Sequence, residues 1–313
     1  MADASVAVDI GGTKIAAGVV DADGTLRAHQ RQPTPAGGLA ELVEAVTGLA
    51  RKLGDARMPV GVGFPGFIDL AGTVRSAPNL PALVGAPLQP RLEAGCGVGV
   101  TVVNDADAAA WGELCRGAGR GGGGLAMLTL GTGVGGGLVV NGRLVRGAHG
   151  AAGELGHIII DEGGPLCGCG NHGCLEAHAS GTAIARKARE AVAAGEVAAG
   201  SPLASAADLG GEVVTAAGAE GDRDALAILA DAGFWLGVGV ASIANAVDPP
   251  AIVVGGGAAV GAGEALLAPA RRACAQRVLG APSREPPPLR PGELGEHAGL
   301  VGAGLLTRLE AAG

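Results

Sequence analysis

Short apolar runs interrupted by glycine open the chain. Ser5 to Asp9 and Ile15 to Val20 read as buried strands joined by Ile10-Gly-Gly-Thr-Lys14. The turn Asp21-Ala-Asp-Gly24 leads into a third short strand near Leu26 to His29. The period then changes. Leu39, Leu42, Val43, Val46, Leu49, Ala50 and Leu53 recur at helical spacing, and Pro59 to Phe64 and Val98 to Val103 return to strand character. Ala106 to Cys115 predicts a helix opening just after Asp105.

Beyond the glycine run 117–124 the order repeats in outline. Leu125 to Leu130 is a strand, a glycine turn follows, and Gly136 to Val140 and Arg143 to Val145 are strands. Both halves thus begin strand, Gly/Thr turn, strand, which suggests a repeated α/β architecture. Residues 148–176 carry no period. Ser180 caps a helix to about Ala194, and Asp222 caps a long apolar helix ending near Val247. Ala251 to Val254 is a buried strand ending in glycines. Helices from about Glu264 to Leu279 and Leu300 to Glu310 close the chain, separated by the proline-rich stretch Pro282 to Pro291.

Composition narrows the function classes. With 313 residues, 48% hydrophobic and 17% charged, the chain is long enough for two folded domains and too apolar to be disordered. The net charge of −8 and the absence of a basic cluster argue against a nucleic-acid partner and favour small molecules or other subunits. The first residues lack the basic and apolar regions of a signal peptide, and no uncharged apolar run reaches about 18 residues, the best being Phe234 to Val247. A soluble, cytoplasmic protein is expected, with no membrane partner. In that compartment six cysteines are metal ligands or buried thiols before they are disulfides.

The cysteines supply the strongest local signal. Cys167-x-Cys169-x4-Cys174 follows His157, and three thiolates with one imidazole suit tetrahedral, structural zinc. His172 is a rival fourth ligand at this point, and three unrelated buried cysteines are the plainer alternative. Asp9-Ile-Gly-Gly-Thr-Lys14 puts Gly11, Gly12, Thr13 and Lys14 at a hairpin tip, where backbone N–H groups form an anion-binding concavity. A bare hairpin turn is the alternative. Leu130-Gly-Thr-Gly-Val-Gly-Gly-Gly137 contains the Gly131-x-Gly133-x-x-Gly136 spacing of a dinucleotide fingerprint, but strands follow where a helix is required. It reads better as a second phosphate hairpin, with Thr132 and Gly133 at its tip.

Asn104-Asp105 ends an apolar strand and precedes a helix, the place where α/β proteins build active sites. A carboxylate there can accept a proton from an attacking hydroxyl. Asp105 is equally placed to be a helix N-cap, and Asp107 is a rival base. Glu154, His157 and Glu176 flank or join the cysteine cluster. Carboxylates and imidazole are what sugar hydroxyls, donors and acceptors together, require. If zinc takes one nitrogen of His157, the other can face a hydroxyl.

Taken together these segments resemble the ROK family (repressor, open reading frame, kinase), and within it the actinobacterial ATP-dependent glucokinases. The resemblance spans the chain and rests on Asp9 to Lys14, Gly63-Phe-Pro-Gly66, Asn104-Asp105, Gly131 to Gly135, Gly153-Glu-Leu-Gly-His157 and Cys167-Gly-Cys-Gly-Asn-His-Gly-Cys-Leu-Glu176. It implies an actin-like ATPase (ribonuclease H-like) α/β fold of two domains with an inter-domain cleft. The first domain would run over 1–108 with the C-terminal helix, about 300–313, returning to it, and the second over 109–299 with the zinc loop.

The resemblance implies transfer of phosphate from ATP to D-glucose, giving D-glucose 6-phosphate, with Asp105 as the base on the 6-hydroxyl. Asp9 would help hold Mg²⁺ through water, while Thr13, Lys14 and Thr132 would contact phosphates and Gly255, Gly256 and Gly257 would lie beside the adenosine. Asn79, Asn104, Asp105, Glu154, His157 and Glu176 would line the sugar site. The family's zinc ligands fall on His157, Cys167, Cys169 and Cys174. A homodimer or homotetramer is implied. Related repressors carry an N-terminal winged helix-turn-helix, for which a phosphate turn starting at residue 9 leaves no room. Another hexose (fructose, mannose, allose, N-acetylmannosamine) or a sugar-sensing regulatory role stays open. Polyphosphate as donor is not expected.

Overall fold

The computed structural model describes residues 4–55 and 57–310, which divide into two compact units. One holds the chain up to Gly124, Gly137–Gly153 and the residues from Glu296 onward. The other holds Leu125–Gly136 and Glu154–Gly295.

The first unit begins as an antiparallel meander of β1 (Ala4–Ile10), β2 (Lys14–Asp21) and β3 (Leu26–Pro33). β3 runs four residues beyond the predicted end because β2 continues to pair with it as far as Lys14 opposite Pro33. Its polar, exposed residues fit a sheet edge. After α1 (Leu39–Leu53), β4 (Val60–Phe64) lies parallel to β1. A small hairpin follows, β5 (Phe67–Ile68) with β6 (Val74–Ser76), and then α2 (Leu88–Cys96). β7 (Val100–Asn104) is parallel to β4 and runs directly into α3 (Asp105–Arg116). Every residue of β4 is buried, so the strand reads as an apolar run and not as an alternation. Val8, Ile10, Ile15, Val62, Phe64 and Val102 form the core with Leu42 and Val46 of α1.

Next come β8 (Leu125–Leu130), β9 (Val134–Val140) and β10 (Arg143–Leu144). A long irregular stretch reaches α4 (Leu175–Ala179) and α5 (Gly181–Ala193). α6 (Pro202–Ser205), α7 (Gly211–Ala219) and α8 (Arg223–Val247) precede β11 (Ile252–Gly255). Then follow α9 (Gly257–Ala262), α10 (Glu264–Ala275), β12 (Leu289–Pro291) and α11 (Ala298–Glu310). The two main sheets share one plan: β3-β2-β1-β4-β7 and β10-β9-β8-β11-β12, each ordered third, second, first, fourth, fifth in sequence. The outline repeat in the sequence is therefore a repeat of topology.

Three further departures from the expected elements each have a physical reason. α10 stops at Ala275, short of Leu279, because the chain turns off the helix and Leu279 N–H donates to Asn245 Oδ1 at 2.8 Å. The proline-rich stretch contains β12, whose parallel pairing with β11 supplies a ladder that the sequence does not advertise. The expected division at 108/109 falls inside α3. That helix packs along α11, and residues up to Gly124 stay with the first unit.

α8 is long and apolar enough to cross a membrane by length and composition alone. More than half of its apolar window is buried, against α10, α4, α5 and α7, as in a core helix. α11 returns to the first unit and packs on α3 and on β1, β2, β4 and β7. The approach to α3 is close enough that a Cβ on Gly302 would overlap the Ala108 carbonyl, so only glycine fits there.

Candidate active site and metal centre

In the first unit the chemistry-bearing residues gather at the C-terminal ends of the parallel strands. Asp9 pairs in register with Gly63, and Phe64 with Asn104, so the ends of β1, β4 and β7 line up. A Cβ on Gly63 would lie 3.3 Å from Asp9 Oδ1 and 3.6 Å from Asp105 Cα. The bare glycine thus separates the two acids without a side chain between them. The Gly11–Thr13 turn is braced from behind. Gly11 N–H donates to Lys14 O at 2.8 Å, Thr34 Oγ1 to Gly11 O at 2.7 Å and Thr34 N–H to Thr13 O at 3.0 Å. Asn79 rests against Gly12, where a Cβ would stand 3.0 Å from its own Cβ.

Asn104, and not Asp105, caps α3. Its Oδ1 accepts from Ala106 N–H at 2.8 Å and Asp107 N–H at 3.2 Å, and its Nδ2 donates to Gly66 O at 3.2 Å. Asp105, the first helical residue, accepts from Ala106 N–H at 2.9 Å and keeps a partly exposed side chain. Asp107 is only 3% exposed, on the inner face of α3, which removes it as a base that substrate can reach.

Asp9 retains some surface as a residue, but its carboxyl is packed between Gly63 and the first turn of α11, 3.2 Å from where a Gly299 Cβ would sit. Burial pushes its pKa up from 3.8 to about 6, and nearby Lys14 pulls the other way. Between pH 3.8 and about 6 the folded protein then holds more protons than the unfolded chain, so stability falls as pH rises through that window and levels off above it. Asp9→Asn is expected to stabilise the ligand-free protein by about 2 kcal/mol at pH 7.5 and hardly at all at pH 4. Urea denaturation at the two pH values checks this; an equal effect at both would refute it. The same buried charge is what a bound divalent cation would offset.

In the second unit His157, Cys167, Cys169 and Cys174 converge, each offering a ligand atom within 4.8 Å of the others. Cys167 Sγ lies 3.7 Å from His157 Nδ1, and Cys169 Sγ lies 3.6 Å from Cys174 Sγ. Tetrahedral zinc with Zn–S near 2.3 Å and Zn–N near 2.0 Å spaces its ligands by about 3.5–3.8 Å, so the donor set and its geometry fit that ion. Burial pushes the Cys167 and Cys174 thiols up, while the Asn171 backbone N–H pulls Cys169 down. Three clustered sulfurs thus need a cation to ionise together. His172 is exposed and its Nδ1 is 3.0 Å from Gly164 O, away from the cluster.

His157 sits on a 3₁₀ turn (Leu155–His157) that begins at Glu154, and its N–H donates to Glu154 O at 3.0 Å. Because Nδ1 faces the sulfurs, Nε2 is the nitrogen left for another partner. Glu176, in the first turn of α4, accepts from Cys167 Sγ at 3.2 Å with one carboxylate oxygen and from Val134 N–H at 2.9 Å with the other.

The second glycine turn lies within the same unit. Gly131 N–H donates to Gly133 O at 3.0 Å, and Thr182 Oγ1 donates to Thr132 O at 2.8 Å. Beside it opens a cavity of about 830 Å³, lined among others by Thr132, Thr182, Arg189, Glu212, Thr215 and Gly257. Gly257 lines this cavity. Gly256 serves the backbone instead: its φ is 88°, and a Cβ there would overlap Leu130 O. Gly181, Thr182 and Arg189 were absent from the sequence-based site. The signal for them in the sequence was a further Gly-Thr pair, Gly181-Thr182, behind the Ser180 cap.

The profile of the ROK family matches residues 5–310. The chain is 38% identical to a glucokinase from Streptomyces coelicolor over 311 residues, covering 97% of each chain. It is similar in structure to a ROK family glucokinase from Streptomyces griseus in complex with glucose and AMPPNP, with 39% identity, a TM-score of 0.85 and 98% and 99% of the two chains covered. A ROK hexokinase from Thermus thermophilus superposes with a TM-score of 0.83 at 38% identity over 99% of each chain. The α/β architecture is the actin-like ATPase fold of these sugar kinases. The chain belongs to the ROK family.

Proposed function

We propose that the chain is an ATP-dependent glucokinase, catalysing ATP + D-glucose → ADP + D-glucose 6-phosphate. The observation that carries the choice of sugar is the near full-length similarity to glucokinases, one of them crystallised with glucose and AMPPNP. The local geometry supports the chemistry. Asp105 stands at the end of β7 with its capping duty taken by Asn104, so its carboxylate accepts the proton of the sugar 6-hydroxyl as that oxygen attacks the γ-phosphorus. The β,γ-bridging oxygen leaves with ADP.

Gly11 to Lys14 and Gly131 to Gly133 supply backbone and hydroxyl donors for the phosphates, and the cavity beside Thr132 takes the nucleoside. Asp9 would help hold Mg²⁺ through water, the ion offsetting phosphate charge. His157, Cys167, Cys169 and Cys174 would hold structural zinc, leaving His157 Nε2–H to donate to a sugar hydroxyl beside Asn79, Asn104, Glu154 and Glu176. In this reading the enzyme acts in the cytoplasm and assembles as a homodimer or homotetramer.

A MgATP-dependent assay across D-glucose, D-fructose, D-mannose, D-allose and N-acetyl-D-mannosamine tests the reading. D-glucose is expected to show the highest kcat/KM, with one ADP per sugar phosphate. A preference of tenfold or more for another sugar would reassign the substrate. Sugar binding without ADP release from any of them would leave a sugar sensor.

A further inference from the structure

One side chain touches both the metal-binding loop and the glycine turn assigned to phosphate. Glu176 Oε1 lies 3.2 Å from Cys167 Sγ on the loop side, accepting from it while the metal-free thiol keeps its proton, and Oε2 accepts from Val134 N–H at 2.9 Å immediately after the Gly131–Gly133 turn. The fit on the turn side is tight: a Cβ on Gly133 would overlap Glu176 Oε2. Val134 is only 4% exposed, so water is a poor substitute for the carboxylate there. The other anchors of the turn lie just downstream in sequence. Gly181 N–H donates to Gly131 O at 2.8 Å and Thr182 Oγ1 to Thr132 O at 2.8 Å. The seven residues from Glu176 to Thr182 therefore form the bed on which the turn rests, and this bed begins two residues after Cys174.

We propose that Glu176 is a positioning residue for the phosphate turn, coupling sugar binding to nucleotide binding through its bond to Val134 N–H. This rests on the kinase reading above, in which Glu176 also faces the sugar. A carboxylate that accepts from a sugar hydroxyl with one oxygen and holds the turn with the other is fixed by either ligand. The ordering that one ligand brings about is then no longer required of the second. Because the coupling is a free energy shared by two sites, it must appear from both directions.

The test reads binding, without turnover, on the zinc-loaded full-length chain. AMPPNP affinity is measured calorimetrically with no sugar present. Glu176→Ala is expected to weaken AMPPNP about tenfold, the loss of one charge-assisted hydrogen bond to a buried N–H. Glu176→Gln, whose amide oxygen can still accept from Val134 N–H, should recover most of that affinity. In the opposite direction, Gly133→Ala crowds the carboxylate from the nucleotide side and should weaken D-glucose, measured with no nucleotide, by about fivefold or more. Zinc content and thermal melting establish that each variant is folded.

If Glu176→Ala leaves sugar-free AMPPNP affinity unchanged, or if Glu176→Gln is as weak as Glu176→Ala in a folded protein, the positioning role is wrong. If Gly133→Ala leaves D-glucose affinity unchanged, the coupling is wrong. Failure of the wild-type chain to bind AMPPNP at all would instead count against the kinase reading.

Discussion

Asp105→Asn is expected to lower kcat by about 10²–10⁴-fold while glucose affinity stays within a few-fold of the wild type. The separation between the two effects follows from the capping geometry. Helix α3 is capped by Asn104, which receives both Ala106 N–H and Asp107 N–H, so replacing Asp105 leaves the helix start intact. The bond that the Asp105 side chain accepts from Ala106 N–H at 2.9 Å is one an asparagine oxygen can also accept. The amide is nearly isosteric and can still bond a hydroxyl, but it cannot take up a proton from the attacking oxygen. Steady-state kinetics with saturating MgATP, together with calorimetric glucose binding, separate the two effects. A variant with near-normal kcat would remove Asp105 as the base. One that loses glucose binding and stability together would show that the residue is structural.

This prediction turns on a distinction that the sequence leaves open. Asn and Asp are comparable N-caps, and two of them side by side at a strand end are ambiguous until the end of β7 is known. The pairing of Phe64 with Asn104 sets that end, and it is a long-range fact. The fourth metal ligand has the same character. His157 and His172 are both within reach by chain length, and only the fold shows that His172 turns to Gly164 O. By contrast, the two glycine-threonine hairpins and the repeated strand order could be read directly, because hairpin tips and buried strands are short-range features. The glycine-rich helices α7 and α9 escaped for a physical reason. Several of their positions are small because a neighbouring backbone or side chain lies against them, as Gly181 O does against Gly211, and this erases the apolar period that marks a helix.

Cys174→Ser is expected to remove the bound zinc, reduce sugar affinity by more than tenfold and open the loop 158–174 to protease. Purified wild-type protein should contain about one zinc per chain. Cys174 has no exposed surface and its sulfur is 3.6 Å from that of Cys169, so a serine oxygen there offers a harder, shorter ligand inside a site sized for sulfur. Backbone bonds hold part of the loop without metal. Ile160 N–H donates to Gly173 O at 2.9 Å and Cys167 N–H to Asn171 O at 2.8 Å. The second unit as a whole should therefore stay folded, and the damage should be local. Its route to the sugar is specific. His157 Nδ1 faces the sulfurs, so losing the ion frees the imidazole to rotate and releases Nε2 from its direction. Metal analysis, limited proteolysis and calorimetry with D-glucose read the three consequences separately. Zinc-free protein that binds D-glucose as tightly as the loaded chain would show that the cluster does not position the sugar site, whatever it adds to stability. If affinity falls and returns when Zn²⁺ is added back to chelated wild-type protein, the ion organises a recognition surface and leaves proton transfer to Asp105.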